Sequence, residues 1–195
     1  MDKKVKPYKQ RGDTCAVVCM LMVLEYYKII AKANWYDERR LYKIYRSKYM
    51  TGTPFAALAF HLAKNGLETT ICHEDKDLFN NKREVIDNDA FKLAMDEYKT
   101  YLEYAVSRGA NVICGVDITI ELLKRKLLED NLVILAGKFQ NCYHAILLVG
   151  YDNDSFTLCD PLYKEKQIRT SEEIKKFMNT DIGKWFISVN NRKRR

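Results

Sequence analysis

The 195-residue chain holds only three prolines and eight glycines. It has no Ser/Gly- or Pro-rich linker, no internal repeat and no low-complexity stretch, which excludes collagenous, linker-rich or disordered organisation. Long apolar runs are missing too. The longest, Ala16 to Leu24, is nine residues, about half of the ~18 that a membrane span requires. The N-terminus, Met1-Asp2-Lys3-Lys4-Val5-Lys6-Pro7, has neither an apolar h-region nor a small-residue cleavage site, so it does not read as a secretory signal. No cysteine pair has Cys-x-x-Cys spacing, and histidine is limited to three. Six cysteines without an export signal read as reduced thiols, and the expectation is a cytoplasmic protein without cofactor or metal.

The 47% hydrophobic and 30% charged residues are ordinary for a soluble globular protein. The net charge of +7 sits at the chain ends. Residues 1–11 carry five basic groups against one Asp, residues 192–195 carry four more, and the remaining 180 residues sum to −1. Such tails read as solvated ends, and nucleic acid is not an expected partner. The length fits one domain, 1–195, with residues 73–130 as an elaboration on it.

Local signals place helices first and strands last. Asp13 or Thr14 can cap a helix from Cys15 that is apolar nearly all round and therefore buried. A second helix is expected over about Trp35 to Tyr49. A third is framed by Thr53 as N-cap, Pro54 at its first helical position and Gly66 beyond its last turn. Leu67–Cys72 reads as a strand and His73 to Asp89 as a charged stretch. A helix follows over about Ala90 to Ser107, then a short strand at Asn111–Val116 and a helix capped by Thr119. The densest β signal comes after it: Leu132–Ala136, His144–Tyr151, Ser155–Cys159, Lys166–Arg169 and Lys184–Val189. A helix capped by Thr170, with Glu173 three residues on, separates the last two. The fold class is α+β, helices on a C-terminal antiparallel sheet.

His61 and His73 read as packing or surface residues. His144 differs, because it opens an apolar strand directly after polar residues, where a side chain is both rigid and accessible. A three-residue loop at Asp152-Asn153-Asp154 would set Ile146 opposite Asp160 and bring Asp160 to His144 on one face. A two-residue loop, Asn153-Asp154, would put Asp160 on the other face unless a bulge intervenes. Cys15, at the start of a helix, is the nucleophile candidate, since unsatisfied N–H groups and the helix dipole there favour a thiolate. With His144 and Asp160 it forms a Cys–His–Asp set, and Gln10 upstream offers an amide to an oxyanion together with the Cys15 N–H.

Gln10 through Cys15 to Tyr26-Tyr27 resembles the N-terminal motif of the bacteriocin-processing, double-glycine leader peptidases, which have a papain-like fold. Thr51-Gly52-Thr53 through Gly66-Leu67, His144 through Gly150-Tyr151, and Phe156 through Asp160-Pro161 are similar to that family's later blocks, in the same order. The resemblance implies a papain-like cysteine peptidase with Cys15 as nucleophile, His144 as base and then acid, Asp160 as orienter and Gln10 as oxyanion donor. It implies a peptide or protein substrate, with a leader peptide cut after small residues. Gln10 stands one residue closer to the nucleophile than is usual in the family, Ala16 replaces the usual Gly, and residues 73–130 exceed a minimal member. Fused transporter segments, which many members carry, are absent from the sequence.

Other readings use the same residues. Acyl transfer or transpeptidation would employ the same triad and thioester. Cys15, Cys19, Cys142 and His144 offer soft ligands to zinc, though not at the spacing of common zinc modules.

Overall fold

The computed structural model describes residues 2–76, 88–140, 142–180 and 183–191. The basic tail at 192–195 and most of the charged stretch after His73 lie outside them.

Helix α1 (Cys15–Tyr26) has every side chain from Ala16 to Leu24 buried, as an apolar run without a polar face requires. Fully burying each of its Val, Leu and Met side chains stabilises the fold by roughly 1.5–3 kcal/mol relative to exposure. Asn34 caps α2 (Trp35–Tyr45), its side chain accepting from the Asp37 N–H. That helix ends four residues before the expected Tyr49. The Ser47 hydroxyl takes up the N–H groups of Tyr49 and Met50, and the Ser47 N–H bonds the Gly52 carbonyl, so the backbone closes a loop. In α3 (Phe55–Lys64), Pro54 itself occupies the cap position expected of Thr53.

Strand β1 (Glu68–His73), α4 (Asn88–Ser107), β2 (Asn111–Cys114) and α5 (Ile120–Leu128) follow, then β3 (Leu132–Phe139), β4 (Cys142–Asp152), β5 (Ser155–Cys159), β6 (Gln167–Thr170), α6 (Ser171–Met178) and β7 (Trp185–Asn190). Two of the caps read from sequence are in place: Thr119 accepts from the Leu122 N–H, and Thr170 with Glu173 forms a capping box.

The seven strands make one sheet in the order β2-β1-β7-β3-β4-β5-β6. Only β1–β2 is parallel. Leu132, Ile134 and Ala136 face a core shared with α1, α2, α3 and α4. Val133 and Leu135 face a second core with α5 and α6. Covering both faces explains why β3 and β4 are nearly uninterrupted apolar runs without polar alternation. β7 enters between β1 and β3, which joins the strands from mid-chain to the C-terminal ones.

The β4–β5 hairpin takes the shorter of the two loops. Asp152 pairs with Ser155, leaving a two-residue turn, Asn153-Asp154, and both turn residues have positive φ (44° and 70°), as a twist-matched hairpin turn demands. That turn alone would send Asp160 to the wrong face. A bulge between Leu148 and Gly150 shifts the register by one, so Leu148 pairs with Leu158 and Leu147 with Cys159. Asp160 then follows opposite Ile146, the position expected from the longer loop.

The N-terminal residues are not a solvated tail. Asp2 bridges to Gly150, and the Lys3 N–H donates to the Val149 carbonyl at the bulge. The Lys3 ammonium is buried and donates to the Leu127 carbonyl at 3.2 Å, near Asp130. Lys166 holds both Asp2 carboxylate oxygens at 2.8 Å.

Candidate active site

Cys15 is the first residue of α1 and half-buried. Thr14 precedes it as N-cap yet makes no side-chain cap bond to the helix; its hydroxyl donates to Glu38 at 2.5 Å. The first turn of α1 thus keeps donors that no side-chain cap consumes, beside the thiol.

His144 enters from β4. Its Nε2 meets Asp160 Oδ1 at 2.8 Å, and Cys15 acts on the imidazole as hydrogen-bond partner and as charge. With Nε2 donating to Asp160, Nδ1 is the nitrogen left to accept a proton. Burial pushes the imidazole pKa down, but Asp160 and Cys15 outweigh it and raise it to about 9. The carboxyl of Asp160 responds in the opposite sense. Burial would raise its pKa, while the His144 hydrogen bond, the Leu162 N–H and the charges of His144 and Arg169 hold it below its ordinary value.

Arg169 has no counterpart in the sequence reading. Its Nη2 donates to Asp160 Oδ2 at 2.9 Å, with Leu162 N–H on Oδ1 at 3.0 Å. A buried carboxylate is expensive unless its oxygens are satisfied, and Asp160, 1% exposed, meets a donor at each oxygen. No spacing rule in the sequence links Arg169 to Asp160, because β6 reaches it through strand pairing. Phe139 and Phe177 also flank the imidazole, at 6.2 and 6.3 Å between ring centres. Gly137 pairs with His144 across β3–β4, and a Cβ there would collide with the ring and carbonyl of Phe177. The glycine lets α6 press its phenyl ring toward the histidine.

Gln10 lies beside this group: its N–H donates to the Pro161 carbonyl at 2.8 Å, next to Asp160. Its side-chain Nε2 donates to the Gly12 carbonyl at 2.6 Å, and that nitrogen retains a second N–H. Cys19, one turn beyond Cys15, is fully buried, and burial first, then the neighbouring Cys15, Asp160 and Cys159, drives its pKa well up. Among the described residues no group of three His, Cys, Asp or Glu side chains is placed to hold a metal ion. His61 and His73 are packed histidines, bonded to the hydroxyls of Tyr45 and Tyr98 at 2.9 Å each.

A family model described as the Peptidase_C39-like family matches residues 2–187. The chain belongs to the Peptidase_C39-like family. None of the curated proteins compared matches this C39-like chain. Among the solved structures that share its fold are two peptidases. The peptidase domain of Streptococcus ComA, a bi-functional ABC transporter involved in a quorum-sensing pathway, is 14% identical with a TM-score of 0.51, over 96% of this chain and 99% of that one. A putative C39-like peptidase from Bacillus anthracis is 15% identical with a TM-score of 0.52, over 97% and 96%. The C39-like fold is α+β and papain-like, and family and fold support a cysteine-peptidase kind of function. No described helix is long and apolar enough to cross a membrane.

Proposed function

We propose that this chain is a cysteine peptidase that cleaves a peptide through a thioester on Cys15. The observation that carries the reading is His144 held between Asp160, at 2.8 Å, and Cys15. Cys15 Sγ attacks the scissile carbonyl carbon as His144 takes the thiol proton. The oxyanion is met by the Cys15 N–H and the spare N–H of Gln10. His144 then protonates the leaving amine as the C–N bond breaks, leaving an acyl thioester. Water attacks the thioester with His144 as base, which releases a carboxylate and restores the thiol. Asp160, fixed by Arg169 and Leu162, orients the imidazole and stabilises its charged form.

The substrate in this reading is an extended peptide, held by backbone hydrogen bonds and cut after small residues, as in a leader peptide. Residues 1–195 act as one papain-like domain with 73–130 as its elaboration, and the six free thiols suit a reducing, cytoplasmic compartment. The test is a peptide-library screen with trapping of the acyl adduct on Cys15 by mass spectrometry. Small residues before the cut and an adduct confined to Cys15 are expected. An adduct elsewhere, or turnover only with an amine acceptor in place of water, overturns the reading.

A further inference from the structure

Glu38 is a fully buried carboxylate in the first turn of α2, and the triad does not use it. Three donors converge on it, all from the short segment that leads into the nucleophile. Oε1 accepts from the Arg11 N–H at 2.9 Å and the Thr14 hydroxyl at 2.5 Å. Oε2 accepts from the Tyr8 hydroxyl at 3.0 Å. Burial, then the bond to Glu38 and its charge, pushes the Tyr8 hydroxyl up to about 12, so it remains a donor throughout the neutral range. The α2 N-terminus also favours negative charge at this place.

A buried carboxylate is costly unless its oxygens are satisfied, so the segment from Tyr8 to Thr14 is held to the arrangement that supplies all three donors. That segment contains Gln10, ends next to Cys15 and closes with Thr14, whose hydroxyl is diverted from capping α1. We infer that Glu38 is a positioning residue: it locks the loop that aims the Cys15 N–H and the Gln10 amide at the oxyanion. The inference rests on the peptidase reading for its catalytic consequence, but the lock itself is observable without turnover.

The test compares Glu38→Ala with Glu38→Gln in the full chain, using a peptidyl-Gly-Gly-aminomethylcoumarin probe, hydrogen exchange over residues 8–15 and iodoacetamide labelling of Cys15. Glu38→Ala is expected to speed exchange at the Arg11 N–H by about tenfold or more as its acceptor is lost. It should cut kcat by about a hundredfold at an unchanged KM, the scale of a misplacement near 1 Å. Cys15 alkylation forms no oxyanion and should stay within about twofold. Glu38→Gln should rescue both exchange and kcat, because its Oε1 still accepts from Arg11 and Thr14 and its amide donates to the Tyr8 oxygen.

Unchanged exchange in Glu38→Ala overturns the inference, as does a Gln variant no better than Ala. So does a kcat that falls only in step with alkylation and the folded fraction by near-UV circular dichroism. If the wild type leaves the probe uncut, the peptidase reading is what fails, and exchange alone decides the lock: faster exchange supports it and unchanged exchange overturns it. Should Glu38→Ala not fold, Tyr8→Phe removes one donor and carries the same comparison at smaller amplitude.

Discussion

The sheet carries a histidine beside a cysteine in two places, and they behave in opposite ways. On β1, His73 pairs in register with Cys114 of β2. It bonds the Tyr98 hydroxyl, and burial pushes its pKa down to about 4. On β4, His144 is also buried, yet it faces a carboxylate and the start of α1, and its pKa rises to about 9. Burial drives both imidazoles toward the neutral form; only an ionised neighbour reverses it. Proximity of Cys and His is therefore not a site by itself. What distinguishes the β4 end is Asp160, whose pKa is held below its ordinary value by the His144 hydrogen bond, the Leu162 N–H and the Arg169 charge.

Removing the residues at each end should break the comparison most sharply. Cys15→Ala and His144→Ala are each expected to lower kcat by about 10³-fold or more, with the double mutant hardly worse, because the pair acts as a unit. Cys114→Ala should leave turnover unchanged. Steady-state rates on a cleaved peptide check this, and wild-type turnover in Cys15→Ala would sink the nucleophile assignment.

Asp160→Asn should be milder, by roughly a hundredfold relative to loss of Cys15 or His144. It should also move the alkaline limb of the pH–rate profile. In the wild type that limb is expected near 9, where His144 loses the proton it gives to the leaving amine. Without the carboxylate the limb falls toward 6.5, and an unmoved limb would show that Asp160 does not set the imidazole.

The two histidines should also bend the stability curve in opposite directions. His144 is raised above its unfolded value of 6.5, so its contribution is full below that pH and is lost as pH rises through about 9. His73 is lowered, so its contribution is full above 6.5 and is lost as pH falls through about 4. Each slope is at most about 1.4 kcal/mol per pH unit. Chemical denaturation of His144→Gln and His73→Gln across pH 4–9 should flatten the alkaline and the acid limb respectively.

The smallest effect concerns labelling. Cys114 and Cys142 are exposed while Cys15 is half-buried, so access alone ranks the proposed nucleophile behind them. Iodoacetamide should still modify Cys15 about tenfold faster at neutral pH, because His144 is placed to act as its base. Replacing His144 with Ala should erase that lead, and equal rates in the wild type would remove the distinction between the two ends.

Legibility followed the range of the interactions. Thr119, Thr170 and Glu173 announce their helices through contacts three residues apart, and the buried character of α1 is written in nine consecutive apolar residues. Cys15, His144 and Asp160 carried local signals too, a helix start, a strand start and an Asp-Pro strand end. Arg169 and Glu38 carried none. Glu38 is one charge among several on α2 and Arg169 the one charge on the short β6, and the meaning of each arises from the Tyr8–Thr14 loop or the Asp160 carboxylate, away from it in sequence. The insertion of β7 between β1 and β3 is invisible for the same reason. The α2 end was missed because Ser47 competes for backbone N–H groups that periodicity assigns to the helix.

The bulge at Val149 has a consequence for how this chain tolerates length changes. The short turn and the extra strand residue are two off-by-one steps that cancel, the bulge being the outlet for one residue. Val149 is the residue that the register skips, so deleting it leaves Leu148 opposite Leu158 and Leu147 opposite Cys159, with the carboxylate still facing His144. A residue inserted between His144 and Leu148 has no such outlet, and it turns the imidazole to the face opposite Asp160.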